Sequence, residues 1–375
     1  MVKARPTLYV AITNHGFGHA TRTLSVVAAI QARCPEILPI LVTTAPRWLL
    51  ESYLTEHFIH RPRSFDIGVV QTDSLTMDKA ATLAKLAAIR AREAAIVAAE
   101  VGFIDQNRVR LVLADIPPLA AVIAQRAGIP CWMMSNFGWD FIYRDWGDGF
   151  SAIADWMTGC YQQCDRLFRL PFHEPMAAFP QVMDVGLTGG TPRYDLDVLR
   201  QLLGLTTSPE RTVLLTFGGL GLQDIPYAGL GAFPDWQFLT FDAQAPALPN
   251  LISVRGPVIQ ARAKGFDLQR LRPVDLMPLC GRVVSKPGYS TFSEACRLAV
   301  PIATLTRDDF AEAALLINGI QDYAEHQILT PAAFNQGDWA FLHEPPHPPR
   351  LGRDAIAQDG TETIAQAVIT ALMAT

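Results

Sequence analysis

Short apolar runs alternate with longer amphipathic segments along the first 135 residues of the chain. The runs suit buried strands, whereas the segments between them repeat apolar positions at helical spacing. The predicted strands cover residues 8–12, 37–43, 109–114 and 131–135. The predicted helices cover residues 21–33, 48–55, 78–101 and 119–127. Strands and helices that alternate in this way predict a parallel sheet covered on both faces.

The same alternation restarts after residue 211. Further strands are predicted at 212–217, 236–241, 251–254, 282–285 and 302–306, and helices at 292–298, 309–323 and 361–373. The segment 185–208 is punctuated by Gly, Thr and Pro around one helical piece, and is predicted to be the linker. A chain of 375 residues is too long for one typical core. We therefore predict an α/β protein with two Rossmann-like domains, 1–190 and 191–360, and a C-terminal helix, 361–375.

Composition narrows the classes of function. The net charge of −5 argues against nucleic acid as a partner, which usually requires a basic face. No apolar run reaches the roughly 18 residues that would span a membrane. The first apolar run is too short for a signal-peptide core, so we expect a cytoplasmic protein without a transmembrane segment. Peripheral contact with a membrane stays open.

The six cysteines are scattered along the chain and predict neither a disulfide framework nor a metal site. Cys160 and Cys164 are one helical turn apart, but no matching Cys/His pair follows at the spacing of a zinc site. Packing within a helix is the expected role for both.

A glycine-rich segment, Asn14-His-Gly-Phe-Gly-His-Ala-Thr-Arg22, joins the first predicted strand to the first predicted helix. Gly16 and Gly18 allow the backbone to approach a ligand closely. The start of the helix offers N–H groups and a positive dipole end to an anion. His19 could act as a base near neutral pH, since the unperturbed pKa of histidine is about 6.5. The alternative is that the glycines only shape the turn and that His19 caps the helix.

A second segment of similar design, Lys286-Pro-Gly-Tyr-Ser-Thr-Phe-Ser-Glu294, follows a strand of the second half. Ser290 and Thr291 are good N-cap residues, and Glu294 follows at a spacing close to that of a capping box. Capping alone could therefore explain these three residues. Lys286 adds a fixed cation before the helix, and a cation together with free N–H groups suits a diphosphate. Ligands of open α/β sheets bind at the carboxyl ends of strands, so the two segments predict a cleft between the domains.

These segments together resemble the GT-B glycosyltransferases, two-domain enzymes that use nucleotide sugars. The Gly-Phe-Gly-His sequence at 16–19 is similar to the loop of the N-acetylglucosaminyltransferase that makes lipid II. It also resembles the loop of plant natural-product glycosyltransferases, where a histidine after a glycine is the base. The segment 286–294 resembles the donor motif H-x-G-x-x-S-x-x-E of those plant enzymes, with lysine in place of the histidine.

Nearly the whole chain is similar to the glycosyltransferase-like N-terminal half of plant L-arabinokinases. The resemblance runs in order through residues 15–22, 42–46, 70–78, 136–143, 286–289 and 307–310. Nothing in the sequence resembles the glycine-rich ATP loop of the kinase half. The resemblance therefore implies the fold and a nucleotide-sugar site, but it does not imply phosphorylation of arabinose.

The resemblance also implies roles for individual residues. His19 would be the base of an inverting enzyme, with His15 as its rival. The residues expected to bind the donor are Gly18, Gly218, Gly219, Lys286, Gly288, Ser290, Thr291, Glu294 and Asp309. The residues expected to orient the base or to bind the acceptor are His15, Arg22, Asp115 and Asp140. Arg22 could instead be a surface arginine, and Asp309 an ordinary acid at a helix N-terminus.

The sequence thus favours a glycosyltransferase whose 1–190 domain binds the acceptor and whose 191–360 domain binds a nucleoside-diphosphate sugar. That co-substrate would be the only cofactor-like group, because cations and helix ends replace a metal in metal-independent enzymes of this fold. The acceptor, a small molecule or a lipid, is not specified. Two other hypotheses stay open, namely a nucleotide-sugar 2-epimerase and a non-catalytic nucleotide-sugar sensor.

Overall fold

The computed structural model describes residues 5–71, 76–219, 222 and 225–374, and these form thirteen β-strands and fourteen α-helices. The strands are β1 (Thr7–Ile12), β2 (Leu38–Val42), β3 (Ile59–Arg61), β4 (Val109–Asp115), β5 (Cys131–Ser135), β6 (Arg166–Arg169), β7 (Val182–Asp184), β8 (Thr212–Thr216), β9 (Gln237–Thr240), β10 (Leu251–Ser253), β11 (Arg282–Ser285), β12 (Ile302–Leu305) and β13 (His326–Leu329). The helices are α1 (Gly18–Arg33), α2 (Arg47–Tyr53), α3 (Lys79–Ala91), α4 (Glu93–Gln106), α5 (Leu119–Ala127), α6 (Trp139–Asp145), α7 (Ser151–Tyr161), α8 (Leu196–Leu203), α9 (Pro257–Arg262), α10 (Pro273–Leu276), α11 (Tyr289–Leu298), α12 (Glu312–Tyr323), α13 (Pro331–Asn335) and α14 (Gly360–Met373).

Two parallel sheets organise the chain, which confirms the predicted fold class. The first has the strand order β3-β2-β1-β4-β5-β6-β7, and the second has the order β10-β9-β8-β11-β12-β13. The first strand of each sheet in chain order, β1 or β8, lies near the middle of that sheet. The chain then adds strands on one side of it and afterwards on the other, so the strand order reverses there. Such a reversal opens a crevice at the carboxyl ends of the strands. The exact domain bounds, 1–190 and 191–360, stay predictions.

Some predicted elements differ from the structure. The helix expected at 78–101 is two helices, α3 and α4, which meet at Arg92. Asp78 caps α3 by accepting a hydrogen bond from the Ala81 N–H, and Glu93 places an acid in the first turn of α4. Strands β3, β6, β7 and β13 have three or four residues, carry little of the two-residue period and were not predicted. Strands β10, β11 and β12 are as short, but their apolar residues sufficed to predict them. Residues 72–75, within the segment of resemblance at 70–78, and Gly221 lie outside the described residues.

The six cysteines are buried and form no disulfide. Cys160 lies in α7, as the packing interpretation expects, whereas Cys164 lies just beyond that helix and donates to the Arg166 carbonyl. Within the described residues, no helix is both long enough and apolar enough to cross a bilayer.

The last helix, α14, returns to the first half of the chain and packs against α1. Ile364, Val368 and Leu372 are buried there in one cluster with Leu24 and Val27 of α1. The return is tight, because a Cβ on Gly360 would lie 1.9 Å from the Gly186 carbonyl oxygen. Helix α14 therefore completes the layer that covers the first sheet.

Ile364→Ala should lower the free energy of unfolding by about 2–5 kcal/mol, because it opens a cavity between α14 and α1. Urea unfolding checks this value. Gln366→Ala, on the exposed side of the same helix, is the matched control and should change stability by less than about 0.5 kcal/mol. Equal effects of the two substitutions would show that α14 does not hold the first domain together.

Candidate active site

A cavity of about 930 Å³ lies where the carboxyl ends of the two sheets face each other. Its walls come from the loops after β1, β8, β11 and β12. The predicted site residues that line it are His15, Gly18, His19, Arg22, Gly218, Gly219, Lys286, Gly288, Ser290, Thr291 and Glu294. The structure thus brings together two segments that are 272 residues apart in sequence, as the hydrogen bond from Ser290 to Gly18 shows.

His19 lies in the first turn of α1, and its ring is oriented by Asp115 at the end of β4. The His19 Nδ1 atom is 2.8 Å from Asp115 Oδ1. Arg22 Nη2 lies 3.0 Å from the same Nδ1 atom, but its two hydrogens have closer or equal acceptors in Asp115 and Ser135. Two unprotonated acceptors would repel each other at 2.8 Å, so Nδ1 carries a proton and donates a hydrogen bond to the Asp115 carboxylate. In the neutral ring, Nε2 is then the unprotonated nitrogen. His19 therefore has the tautomer that a general base in this cavity requires.

Arg22 forms a bidentate ion pair with the same carboxylate. Arg22 Nε is 2.6 Å from Asp115 Oδ2, and Nη2 is 2.6 Å from Oδ1. Thr23 Oγ1 also donates to Oδ2, at 2.9 Å. Burial alone would raise the pKa of Asp115, but Arg22 and His19 outweigh it and lower that pKa to about 2. Arg22 is only 2% exposed, so it is a buried partner of the His19–Asp115 pair and not a surface arginine.

Arg22 also connects the His19–Asp115 pair to the second domain. Its Nη1 donates to Asn136 Oδ1 at 2.7 Å, and its Nη2 donates to Ser135 Oγ at 3.0 Å. The Asn136 Nδ2 group in turn donates to Glu312 Oε1, at 2.9 Å, at the start of α12. Asn136 and Glu312 were not among the predicted site residues. Two signals were available: Asn136 lay within a segment of resemblance, and Glu312 lay among the acids that follow the strand predicted at 302–306, where carboxylates can bind the hydroxyls of a donor sugar.

The segment after β11 faces the loop after β1 directly. Ser290 Oγ donates to the Gly18 carbonyl at 2.7 Å, and Glu294 Oε1 accepts from the Gly190 N–H at 2.9 Å. No side chain caps α11 at Gly288. The capping interpretation of Ser290 and Glu294 is therefore wrong, since both side chains bond elsewhere.

Glu294 is buried in the cavity wall, and this changes its acidity. Burial raises its pKa, and the opposing effects of the Gly190 N–H, Arg272 and Arg297 leave that pKa at about 7. At neutral pH the carboxyl can therefore accept hydrogen bonds when ionised, or donate one when protonated. Either form can bind a ligand hydroxyl.

The two glycines after β8 allow close contacts. Gly218 has φ +81°, and a Cβ there would lie 3.2 Å from Lys286 Cε, so the lysine stem passes over this glycine. A Cβ on Gly219 would lie 2.6 Å from the ring of Phe17. Gly219 therefore makes room for an aromatic ring of the opposite loop.

None of the three predicted aspartates lines the cavity: Asp115 acts on it only through His19, and the other two bond elsewhere. The carboxylate of Asp309 is 3.0 Å from Lys79 Nζ, and its backbone carbonyl accepts from Trp146 Nε1 at 2.8 Å. Asp140 Oδ2 accepts from Thr158 Oγ1 at 3.0 Å, so Asp115 and not Asp140 orients His19. Arg307, Phe310 and Glu312 form the wall near the place expected for Asp309. A donor-binding role for Asp309 would require its carboxylate to leave Lys79, and that role stays a prediction.

The segment behind His15 contains a further buried acid, Asp66. Its carboxylate accepts a hydrogen bond from Thr13 Oγ1, and it is 2% exposed. Burial raises the pKa of Asp66 to about 7, with a contribution from the negative charge of Asp115. Among the described residues, no group of three His, Cys, Asp or Glu side chains could hold a metal ion.

The fold and the cleft define the class of protein, and comparison with solved structures agrees. The chain has the GT-B fold. It superimposes on UGT89C1 of Arabidopsis thaliana, solved with UDP-L-rhamnose, with a TM-score of 0.60 and 15% identity, over 98% of this chain and 99% of that one. For a UDP-glucosyltransferase of Polygonum tinctorium, capable of glucosylating indoxyl, the TM-score is 0.60 at 12% identity over 99% of both chains.

Comparison of sequences finds a plant protein that is similar to this chain. The chain is 30% identical over 324 residues to L-arabinokinase of Arabidopsis thaliana, which confirms the resemblance drawn from the motifs. The match covers 83% of this chain but 29% of the relative, so the chain spans less than a third of that protein's length. No protein-family model matches the chain.

Arg22→Leu should lower the free energy of unfolding by about 3–5 kcal/mol, because it leaves the Asp115 carboxylate buried without its main counter-charge. The double variant Arg22→Leu/Asp115→Asn should recover part of this loss. Urea unfolding at pH 7 measures both. Arg47→Leu breaks the exposed pair with Glu51 and should cost less than about 1 kcal/mol. A similar cost for Arg22→Leu would contradict the structural importance of the buried pair.

Asp66 should make the protein less stable as pH rises from 4 to 7. Its pKa is raised from 3.8 to about 7 in the folded state, so the folded state holds a proton that the unfolded state has already lost. The resulting loss is about 2–4 kcal/mol between these pH values. Asp66→Asn should remove this part of the pH dependence, measured as unfolding free energy at pH 4, 5.5 and 7. An identical slope in the variant would show that Asp66 ionises normally.

Proposed function

We propose that the protein is a glycosyltransferase that moves a sugar from a nucleoside-diphosphate donor to an acceptor hydroxyl without a metal. The observation that carries this proposal is the position of His19, which Asp115 orients and which lines one cavity with Lys286 and Glu294. A base and a candidate diphosphate site are then within reach of one bound donor. The GT-B fold and the UDP-sugar complexes of its structural neighbours support the same function.

The base would act through His19 Nε2. It takes the proton of the acceptor hydroxyl while that oxygen bonds to the anomeric carbon, and the bond from this carbon to the diphosphate oxygen breaks. Asp115 stabilises the imidazolium that forms, and Arg22 keeps the carboxylate ionised and in place. Such a reaction inverts the configuration at the anomeric carbon.

The leaving diphosphate would be held by Lys286 and by the N-terminus of α11. This helix starts at Tyr289, so its first N–H groups lie beside Ser290 and Thr291 in the cavity wall. Helix N-termini and fixed cations stabilise phosphate charge without a metal. Glu294, further along the same helix, would bind the ribose hydroxyls. The neighbours make UDP the first nucleotide to test. The acceptor would be a small molecule or a lipid, and the location would be cytoplasmic, as expected from the sequence.

His19→Ala should fold normally and bind the donor nucleotide as the wild type does, yet lose transfer by roughly 10²–10⁴-fold, the usual size of a general-base contribution. In Lys286→Met, by contrast, donor binding should be impaired: nucleoside-diphosphate affinity should weaken about ten- to a hundredfold through loss of a charge-assisted contact. Donor affinity is measured by calorimetry with UDP, after a thermal-shift screen of nucleotide sugars has identified the donor. Transfer is measured with an acceptor panel.

Three results would redirect the proposal. Isomerisation of a nucleotide sugar without any acceptor would indicate a 2-epimerase. Tight binding with neither transfer nor isomerisation would indicate a sensor. Full transfer activity in His19→Ala, with the true acceptor, would remove His19 as the base.

A further inference from the structure

His15 is held in a closely fitted environment on the first loop. The Val69 N–H donates to His15 Nδ1 at 3.2 Å. Gly68, at φ +56°, passes so close that a Cβ there would lie 2.6 Å from His15 Cβ. The Tyr143 hydroxyl hydrogen-bonds the Gly68 carbonyl and fixes this segment. The backbone behind His15 therefore sets the orientation of its ring.

Two aromatic rings complete the setting. Phe310, from the loop after β12, stacks on His15 with a centroid distance of 5.8 Å and an angle of 21°. Trp139 meets it edge-on, at 5.3 Å and 86°. Because Phe310 belongs to the second domain, the His15 ring lies at the contact between the domains. It also lines the cavity.

These contacts fix the position of the imidazole proton. Nδ1 accepts from Val69, so the proton of the neutral ring is on Nε2. Burial lowers the pKa of His15 well below its usual value, and the nearby His19, Lys286 and Arg307 lower it further. Asp66, the acid on the adjoining segment, bonds with Thr13 instead. His15 is therefore neutral at physiological pH and is a hydrogen-bond donor through Nε2.

The charged groups that act on His15 are cationic, and this suggests that the His15 ring binds a negatively charged atom of a ligand. Lys286 and Arg307 line the same cavity, and a third positive charge beside them would be repelled while the cleft is empty. A neutral N–H group adds a hydrogen bond for an anion without that repulsion. Neutral donors aimed at developing negative charge serve this purpose in many active sites.

We propose that His15 Nε2–H donates a hydrogen bond to a diphosphate oxygen of the donor, beside the Lys286 ammonium group. This inference rests on the proposed function and assigns His15 to the leaving group. It separates the two histidines of the loop, since His19 accepts a proton and His15 donates a hydrogen bond.

Two substitutions distinguish this role from a purely structural one. The amide nitrogen of Gln is as many bonds from Cα as His Nε2, so His15→Gln can still donate into the cavity but loses the bond from Val69. The side-chain oxygen of Asn matches Nδ1 in the same way, so His15→Asn can keep the bond from Val69 but loses the donor to the ligand. If His15 only supports the loop, Asn should preserve UDP binding better than Gln. If His15 binds the diphosphate, as we propose, Gln should preserve UDP binding better than Asn.

The measurement is UDP affinity by calorimetry, with uridine as the control that lacks phosphate. We expect His15→Asn to weaken UDP binding about tenfold or more, and His15→Gln to stay within about threefold of the wild type. Uridine affinity should be the same in all three proteins. Equal UDP affinity in both variants, or a greater loss in Gln than in Asn, would overturn the assignment. A wild type that binds no nucleoside diphosphate would overturn the proposed function as well.

A second measurement does not depend on ligand or activity. The ¹⁵N spectrum of the histidines should show His15 with a bare Nδ1 and a protonated Nε2, unchanged from pH 6 to pH 8. His15→Phe, which keeps the stacking on Phe310, identifies the signal by its absence. A protonated Nδ1, or titration within this range, would contradict the proposal.

Discussion

The buried ion pair between Arg22 and Asp115 is the interaction on which the site depends. Removing two charges from water is expensive, and such a pair is tolerated only where its remaining hydrogen bonds are satisfied. Here Thr23, His19, Ser135 and Asn136 supply them. The demand for full satisfaction therefore determines where the His19 ring lies, and it extends through Asn136 to Glu312 in the other domain. The geometry of the base and the docking of the domains are thus consequences of one desolvated charge.

The two domains meet through contacts of different strength. The Ser290–Gly18 and Asn136–Glu312 hydrogen bonds are buried or partly buried, whereas the Lys79–Asp309 pair is exposed and is expected to contribute less. Phe310 adds apolar area by packing into the core cluster of the first domain. Most of the specificity of docking therefore comes from residues that also line the cleft. A substitution that alters ligand binding there would also alter how the domains fit together.

The sequence predicted the architecture well because apolar periodicity and two glycine-rich turns are local signals. It could not choose between Asp115 and Asp140, since both follow apolar segments and only the pairing of β1 with β4 brings Asp115 to His19. It could not foresee that Asp309 turns outward, which the positive φ of 62° at that residue accompanies. The sequence could not foresee the contact between Asn136 and Glu312 for the same reason, although Glu312 was noticeable as an acid after a predicted strand. Their importance comes from a contact across 176 positions of the chain.

The return of α14 to the first domain means that the chain crosses between the domains twice. The two crossings run side by side, because the Leu187 N–H donates to the Ala357 carbonyl at 2.8 Å and the Gly360 N–H donates to the Leu187 carbonyl at 3.2 Å. Two crossing segments joined by backbone hydrogen bonds should favour rotation of one domain about these segments and should resist sliding of the domains past each other. Opening of the cleft should therefore have a single degree of freedom, so His19 would return to the same place opposite Lys286 in every cycle.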